Sequence, residues 1–266
     1  MSQVLSAFAD GAVVAKRNLI KIKRVPEVLV FTLLSPIIFV LLFAYVFGSI
    51  APEGLNYREF LIAGIFAQTV VFGATFTGAG LAEDIQKGVI DRFRSLPMSR
   101  SAVLVGRTAS DIFNNVVSIT VMGLTGLIVG WRVRTSLLEA LAGFLLLLLF
   151  AYAFSWIMAY VGLLIPSVEV INNASFIVIF PLTFIANTFV PSQNLPTPLR
   201  VFAEWNPVSA VVQSARELFG NVDPALPPPD VWSLQNPVLY TLIWVAVILA
   251  IFIPLSVHQY KRAASR

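Results

Sequence analysis

Long runs without Asp, Glu, Lys or Arg divide the chain. They cover Val28 to Ile50, Phe60 to Ala82, Ile112 to Gly130, Ala140 to Ile165, Val170 to Val190 and Pro237 to Val257. A helix that crosses the hydrocarbon core of a bilayer needs about 20 apolar residues, and each run supplies that many or nearly so. Backbone facing lipid must satisfy its own hydrogen bonds, so each run is expected to be helical. The third helix is expected to begin several residues early, which gives spans at 28–50, 60–82, 105–130, 140–165, 170–190 and 237–257. The predicted fold class is an all-α integral membrane protein with six transmembrane helices, and residues 1–266 form a single membrane domain.

Composition supports lipid as the solvent. Of the 266 residues, 58% are hydrophobic and 12% charged, whereas a soluble domain carries roughly 25% charged residues. The distribution of charge sets the orientation. Lys16, Arg17, Lys21, Lys23 and Arg24 precede the first run, Lys87, Arg92, Arg94, Arg100 and Arg107 lie between the second and third, and Lys261, Arg262 and Arg266 follow the sixth. With six spans these regions share one side, and the positive-inside rule makes it the cytoplasm. Both termini are thus expected in the cytoplasm. The net charge of +4 reads as an orientation signal and a contact with anionic lipid, not as a nucleic-acid patch.

Outside the runs, residues 1–24 place Leu5, Phe8, Ala12, Ala15, Leu19 and Ile22 at helical spacing beside a cationic face. That pattern predicts an interfacial helix, set off from the first span by Pro26. A second amphipathic segment begins with Glu83 and Asp84 and ends with Arg92, Arg94 and Pro97. Acids at its start and bases at its end suit the helix dipole. Ile85, Val89, Phe93 and Leu96 make one apolar stripe. The spacing predicts a short cytoplasmic helix over 83–96, buried against the neighbouring spans or against a cytoplasmic partner.

Glu83, Gly88 and the stretch Arg92-Phe93-Arg94-Ser95-Leu96-Pro97-Met98-Ser99-Arg100 resemble the cytoplasmic-loop signature of the type-2 ABC export permeases, in particular actinobacterial drug-resistance permeases. Asn187-Thr188-Phe189-Val190-Pro191, Asn194-Leu195-Pro196, Trp205-Asn206-Pro207-Val208 and Ala215-Arg216 are similar to that family's segment between spans five and six. The resemblance implies that 83–96 is a coupling helix seated in a groove of a separate ATPase subunit. Glu83, Asp84, Asp91, Arg92 and Arg94 would make polar contacts there, and Ile85, Gly88, Val89 and Phe93 would complete the element. It implies that 191–215 forms short re-entrant or extracellular helices, and that two permease chains pair as a homodimer or heterodimer. It also implies that spans two and five line the cargo path, with Gln68, Phe72, Asn172, Asn173, Phe176, Phe180 and Asn187 as candidate lining residues. Each Phe equally suits lipid or helix packing, and Asn172 and Asn173 equally suit helix capping.

Several chemistries are excluded. No cysteine is present, so there are no disulfides or thiolate metal sites. One histidine, His258, cannot build a multi-histidine metal site. No Gly-x-x-x-x-Gly-Lys-Ser/Thr loop occurs, so ATP and Mg are expected on the partner ATPase and no cofactor or catalytic residue in this chain. Of the charged groups only Asp111 lies deep in a predicted span, and Arg107, four residues earlier near the cytoplasmic end, reads as its ion-pair partner rather than Asp111 serving in a proton relay. Gly126 and Gly130 form a small-xxx-small pair that could bring helices close. The expected function is an export permease in the bacterial plasma membrane moving a hydrophobic or amphipathic drug, antibiotic or lipid. The alternatives are a non-transporting scaffold or enzyme subunit, and an ion-coupled secondary transporter.

Overall fold

The computed structural model describes residues 34, 37–47, 56–89, 102–165, 167–222 and 230–263. The interfacial segment 1–24, most of the first run's flanks, the second half of the 83–96 segment and the proline-rich 223–229 stretch lie outside these residues.

Every regular element among the described residues is helical except turns: α1 (Ile37–Val46), α2 (Tyr57–Gly73), α3 (Thr75–Gln86), α4 (Ala102–Val129), α5 (Leu137–Leu164), α6 (Val168–Phe184), α7 (Thr197–Trp205), α8 (Pro207–Phe219), the single turn α9 (Trp232–Gln235) and α10 (Pro237–Ala263). The second half of α1 winds as a π-helix over Phe43–Phe47. A 3₁₀ turn at Ser192–Asn194 leads into α7.

Four stretches are long and apolar enough to cross a membrane: Tyr57–Gln86, which joins α2 to α3 across Ala74, Gly106–Val129, Leu137–Leu164 and Pro237–Tyr260. The other two expected spans are represented by shorter helices, Ile37–Val46 and Val168–Phe184. At 1.5 Å per residue α6 reaches only about 25 Å, less than the roughly 30 Å hydrocarbon core. The expected fifth span, 170–190, therefore divides into a helix and a structured turn.

Local chemistry fixes the helix ends. Ser136 caps α5 by accepting a hydrogen bond from the Glu139 amide at 3.3 Å, and the Glu139 carboxylate accepts from the Ser136 amide at 2.9 Å. This reciprocal box supplies two amide donors with partners. Gly220, with φ +71°, terminates α8 in the left-handed region, where a side chain would crowd the backbone.

α5 is apolar all round and packs against α2, α3, α4, α8 and α10, as a helix at the centre of a bundle should. Small residues bring α3 against it: a Cβ on Gly162 would collide with the Gly78 carbonyl. At the end of the bundle that carries α7 and α8, Phe66, Trp131, Phe144 and Phe219 form an edge-to-face cluster with centroids 4.8–6.0 Å apart. The α4–α5 loop is stitched to the end of α8: Arg134 N donates to Phe219 O at 2.9 Å, Thr135 Oγ1 to Leu218 O at 2.6 Å, and Trp131 Nε1 to Asn221 Oδ1 at 2.6 Å. The Gly126/Gly130 pair works within this chain. Gly126 faces Ile62 and Trp131, and Gly130, at φ +109°, ends α4.

Candidate transport path and coupling segment

The coupling segment begins as the last turn of a spanning helix. Glu83, Asp84 and Ile85 belong to α3, and Asp84 is buried. The chain then turns through Lys87 and Gly88, whose φ of +63° favours glycine, and Val89 is again helical. A hydrogen bond from Lys87 Nζ to Glu83, 2.5 Å long, closes this turn on the exposed surface and holds the lysine's pKa above its usual value. Asp91, Arg92, Phe93 and Arg94 lie outside the described residues.

The candidate path residues divide into three groups. Phe72 of α2 and Phe176 and Phe180 of α6 come together. Phe72 lies 6.3 Å from Phe176, and Phe176 stacks on Phe180 at 5.0 Å. Asn172 and Asn173 are exposed on the first turns of the same helix. They do not cap it, because Ser167 does, its hydroxyl accepting from Val170 N at 3.4 Å. Gln68 and Asn187 are buried, at 6% and 4% exposure, within the bundle. Asn187 N donates to Ser209 Oγ at 3.1 Å, and its Oδ1 has no hydrogen-bond partner among the described residues.

The aromatic contact continues well past the candidates. Phe180 stacks on Phe184 at 4.0 Å, Phe184 meets Phe189 at 4.7 Å, Phe189 stacks on Phe43 at 4.5 Å, and Phe43 on Phe39 at 5.6 Å. Seven rings from four segments thus form one continuous ladder. Phe184 could have been found from the i, i+4 spacing of Phe176, Phe180 and Phe184. Phe39 and Phe43 share that spacing with each other, but no local pattern joins them or Phe189 to the α6 rings, because the fold brings them in from other segments. Val170, Phe176, Ile177 and Val178 leave one side of α6 open. The ladder therefore borders a surface that no other described element covers. It offers π-faces and apolar area without a formal charge.

The charged pair in α4 takes a different form from a simple ion pair. Arg107 Nε is 3.9 Å from Asp111 Oδ1, while its Nη2 donates to Phe76 O at 2.8 Å. The nearest donor to Asp111 is the Thr77 hydroxyl, at 2.5 Å from Oδ2. Both side chains thus tie α4 to α3 next to the break at Ala74. Among the described residues no cluster of three or more His, Asp or Glu could hold a metal ion.

This arrangement is a membrane-embedded helical bundle with an uncharged aromatic face and a charged segment leaving one spanning helix. The profile of the ABC-2 type transporter family matches residues 11–219. The chain belongs to that family. This ABC-2 permease is 32% identical over 92% of its length, and 83% of the relative's, to the daunorubicin resistance ABC transporter permease protein DrrB1 of Streptomyces coeruleorubidus. It is 25% identical over 86% of its length, and 80% of the relative's, to the "Probable doxorubicin resistance ABC transporter permease protein DrrC" of Mycobacterium tuberculosis. The charge-poor spanning helices suit a protein that sits in lipid.

Proposed function

We propose that this ABC-2 permease is the membrane-spanning subunit of an ATP-driven exporter, paired with a second permease chain and powered by a separate ATPase subunit. The observation that carries the reading is the seven-ring ladder along α6, bordering an open face with no charged side chain among its rings. Such a wall suits a bulky hydrophobic or amphipathic drug, antibiotic or lipid. The relatives' names, which refer to daunorubicin and doxorubicin resistance, support a drug-like cargo. The segment from Glu83 onward is read as the docking element for the ATPase. ATP that binds the closed ATPase pair more tightly than the open pair would supply the driving free energy through this contact.

Inverted vesicles containing the permease and its co-expressed ATPase test the reading. ATP-dependent uptake of a fluorescent aromatic drug is expected with both chains and with neither alone. Phe180→Ala removes the middle of the three rings on α6. Losing an aromatic pair worth about 0.5–1.5 kcal/mol lowers uptake at sub-saturating drug by up to roughly tenfold, while Phe180→Trp retains most of it. Uptake unchanged in Phe180→Ala removes the ladder from the path.

A further inference from the structure

Arg216 is 2% exposed, and its guanidinium hydrogen-bonds to carbonyl oxygens and lies over a ring. Its Nε donates to Phe60 O of α2 at 3.0 Å. Its Nη2 donates to Asn187 O at 2.7 Å and Thr188 O at 3.2 Å, in the turn that follows α6. The guanidinium lies 3.5 Å from the centroid of the Phe60 ring. One side chain of α8 therefore grips α2 and the 185–190 turn together. A planar fork with several fixed donors is pre-organised to do this, whereas an ammonium offers three rotatable donors from a single point.

Other contacts hold the same region together. Asn206 Nδ2, at the N-cap of α8, donates to Leu182 O in the last turn of α6 at 2.7 Å, and Ser209 Oγ of α8 accepts from Asn187 N in the turn. Gly64 of α2 lies so close to the turn that a Cβ would stand 2.5 Å from Thr188 O. Phe189, the rung that links α6 to α1, belongs to this turn.

The joint between α2 and α3 differs. Ala74 interrupts the helix, and Thr77 N bonds to Ala74 O at 3.0 Å, a tightened turn. Beside it, buried Thr75 Oγ1 and Arg107 Nε have no hydrogen-bond partner among the described residues. Groups buried in this way are costly unless a second arrangement satisfies them.

We propose that Arg216 fastens α2, the 185–190 turn and α8 into one body that swings as a unit against α3 about the break at Ala74. This rests on the exporter reading, since it describes how a push on the 83–89 segment reaches the aromatic ladder. Arg216 touches no cargo in this scheme; it positions the wall that does.

The natural chain has no cysteine, so spin labels attach only where cysteines are introduced. Two pairs, Asn56→Cys with Glu217→Cys and Asn56→Cys with Lys87→Cys, are diluted into unlabelled chain and assembled with the ATPase. Electron–electron distances are then read with and without a non-hydrolysable ATP analogue. Nucleotide is expected to leave the first distance unchanged and to shift the second. Arg216→Gln is expected to broaden the first distribution and raise the ATP hydrolysed per cargo molecule several-fold, with Arg216→Lys in between. The proposal is overturned if the first pair moves as much as the second, or if the second stays still while ATP drives uptake. It is also overturned if Arg216→Gln matches the unmutated chain in both readouts. Should Arg216→Gln not assemble, the two label pairs in the otherwise unmutated chain still decide it. Loss of ATP-dependent uptake in the unmutated pair of chains sinks the exporter reading itself, and this inference with it.

Discussion

Gly64 shows how little room the bundle leaves at single positions. A methyl group there would meet both Thr188 O at 2.5 Å and Thr188 Cγ2 at 2.7 Å, and the first of these is backbone that cannot rotate away. Gly64→Ala is expected to destabilise the permease by about 1–3 kcal/mol, seen as a lower thermal midpoint in detergent. An unchanged midpoint would show that the turn yields without cost. Thr77 poses the opposite case, a partner lost rather than a clash made. Thr77→Val takes away the 2.5 Å donor to Asp111 and leaves the carboxylate with Arg107 at 3.9 Å. A buried acceptor stripped of its partner costs about 1–3 kcal/mol. Thr77→Ser keeps the hydroxyl and should restore most of that stability in the same melt; equal losses in Val and Ser variants would mean that packing of the methyl group matters instead. The Arg107–Asp111 relation was legible in the sequence because four residues on a helix share a face. Thr77 was not, because 34 residues separate it from Asp111 and only the fold sets α3 beside α4.

Elements follow the apolar runs closely, and their ends do not. The run Ala140 to Ile165 became α5, Leu137–Leu164, which starts earlier because Ser136 and Glu139 form a capping box outside the charge-free stretch. Hydropathy senses lipid, whereas caps are set by which side chain reaches the first free amides. Ser136→Ala is expected to cost about 1 kcal/mol and to speed hydrogen exchange at the Glu139 amide, with the middle of α5 still protected. Protection unchanged at Glu139 would show that the cap contributes nothing. The same blindness explains α6. Residues 170–190 contain no charge, yet Phe184 ends the helix; Asn206 takes the Leu182 carbonyl in its last turn, and the following residues turn where Arg216 and Ser209 claim their backbone groups. Three of the seven rings in the ladder were named from sequence, and Phe184 was within reach of its spacing. The others arrive through tertiary contacts that no local pattern encodes.

At the scale of the whole molecule the question is what drives movement of cargo. An ion-coupled transporter needs a carboxylate or histidine that gains and loses its ion as access alternates. In the described spanning helices Glu59, Glu83 and Asp84 lie towards the ends of Tyr57–Gln86, and Asp111 alone sits away from an end, held by Thr77 and Arg107. Asp111 is thus engaged in joining α4 to α3, the helix whose last turn carries Glu83, Asp84 and Ile85. A carboxylate committed to a structural contact is a poor carrier, because each ion exchange would loosen a contact between two spanning helices. On the proposed exporter reading the energy source is ATP and not an ion gradient. In inverted vesicles bearing the permease and its ATPase, an ionophore that collapses the proton gradient should leave drug uptake intact while ATP remains, and withdrawing ATP with the gradient held should stop it. Asp111→Asn, which keeps an acceptor for Thr77, should retain ATP-dependent uptake. Uptake that follows the gradient and vanishes in Asp111→Asn would transfer the molecule to the secondary transporters, with Asp111 as the carrier. The exporter reading also requires Arg92→Ala combined with Phe93→Ala to abolish co-purification of the ATPase without altering membrane insertion. If the ATPase still co-purifies with that double variant, the docking element lies elsewhere on the cytoplasmic face.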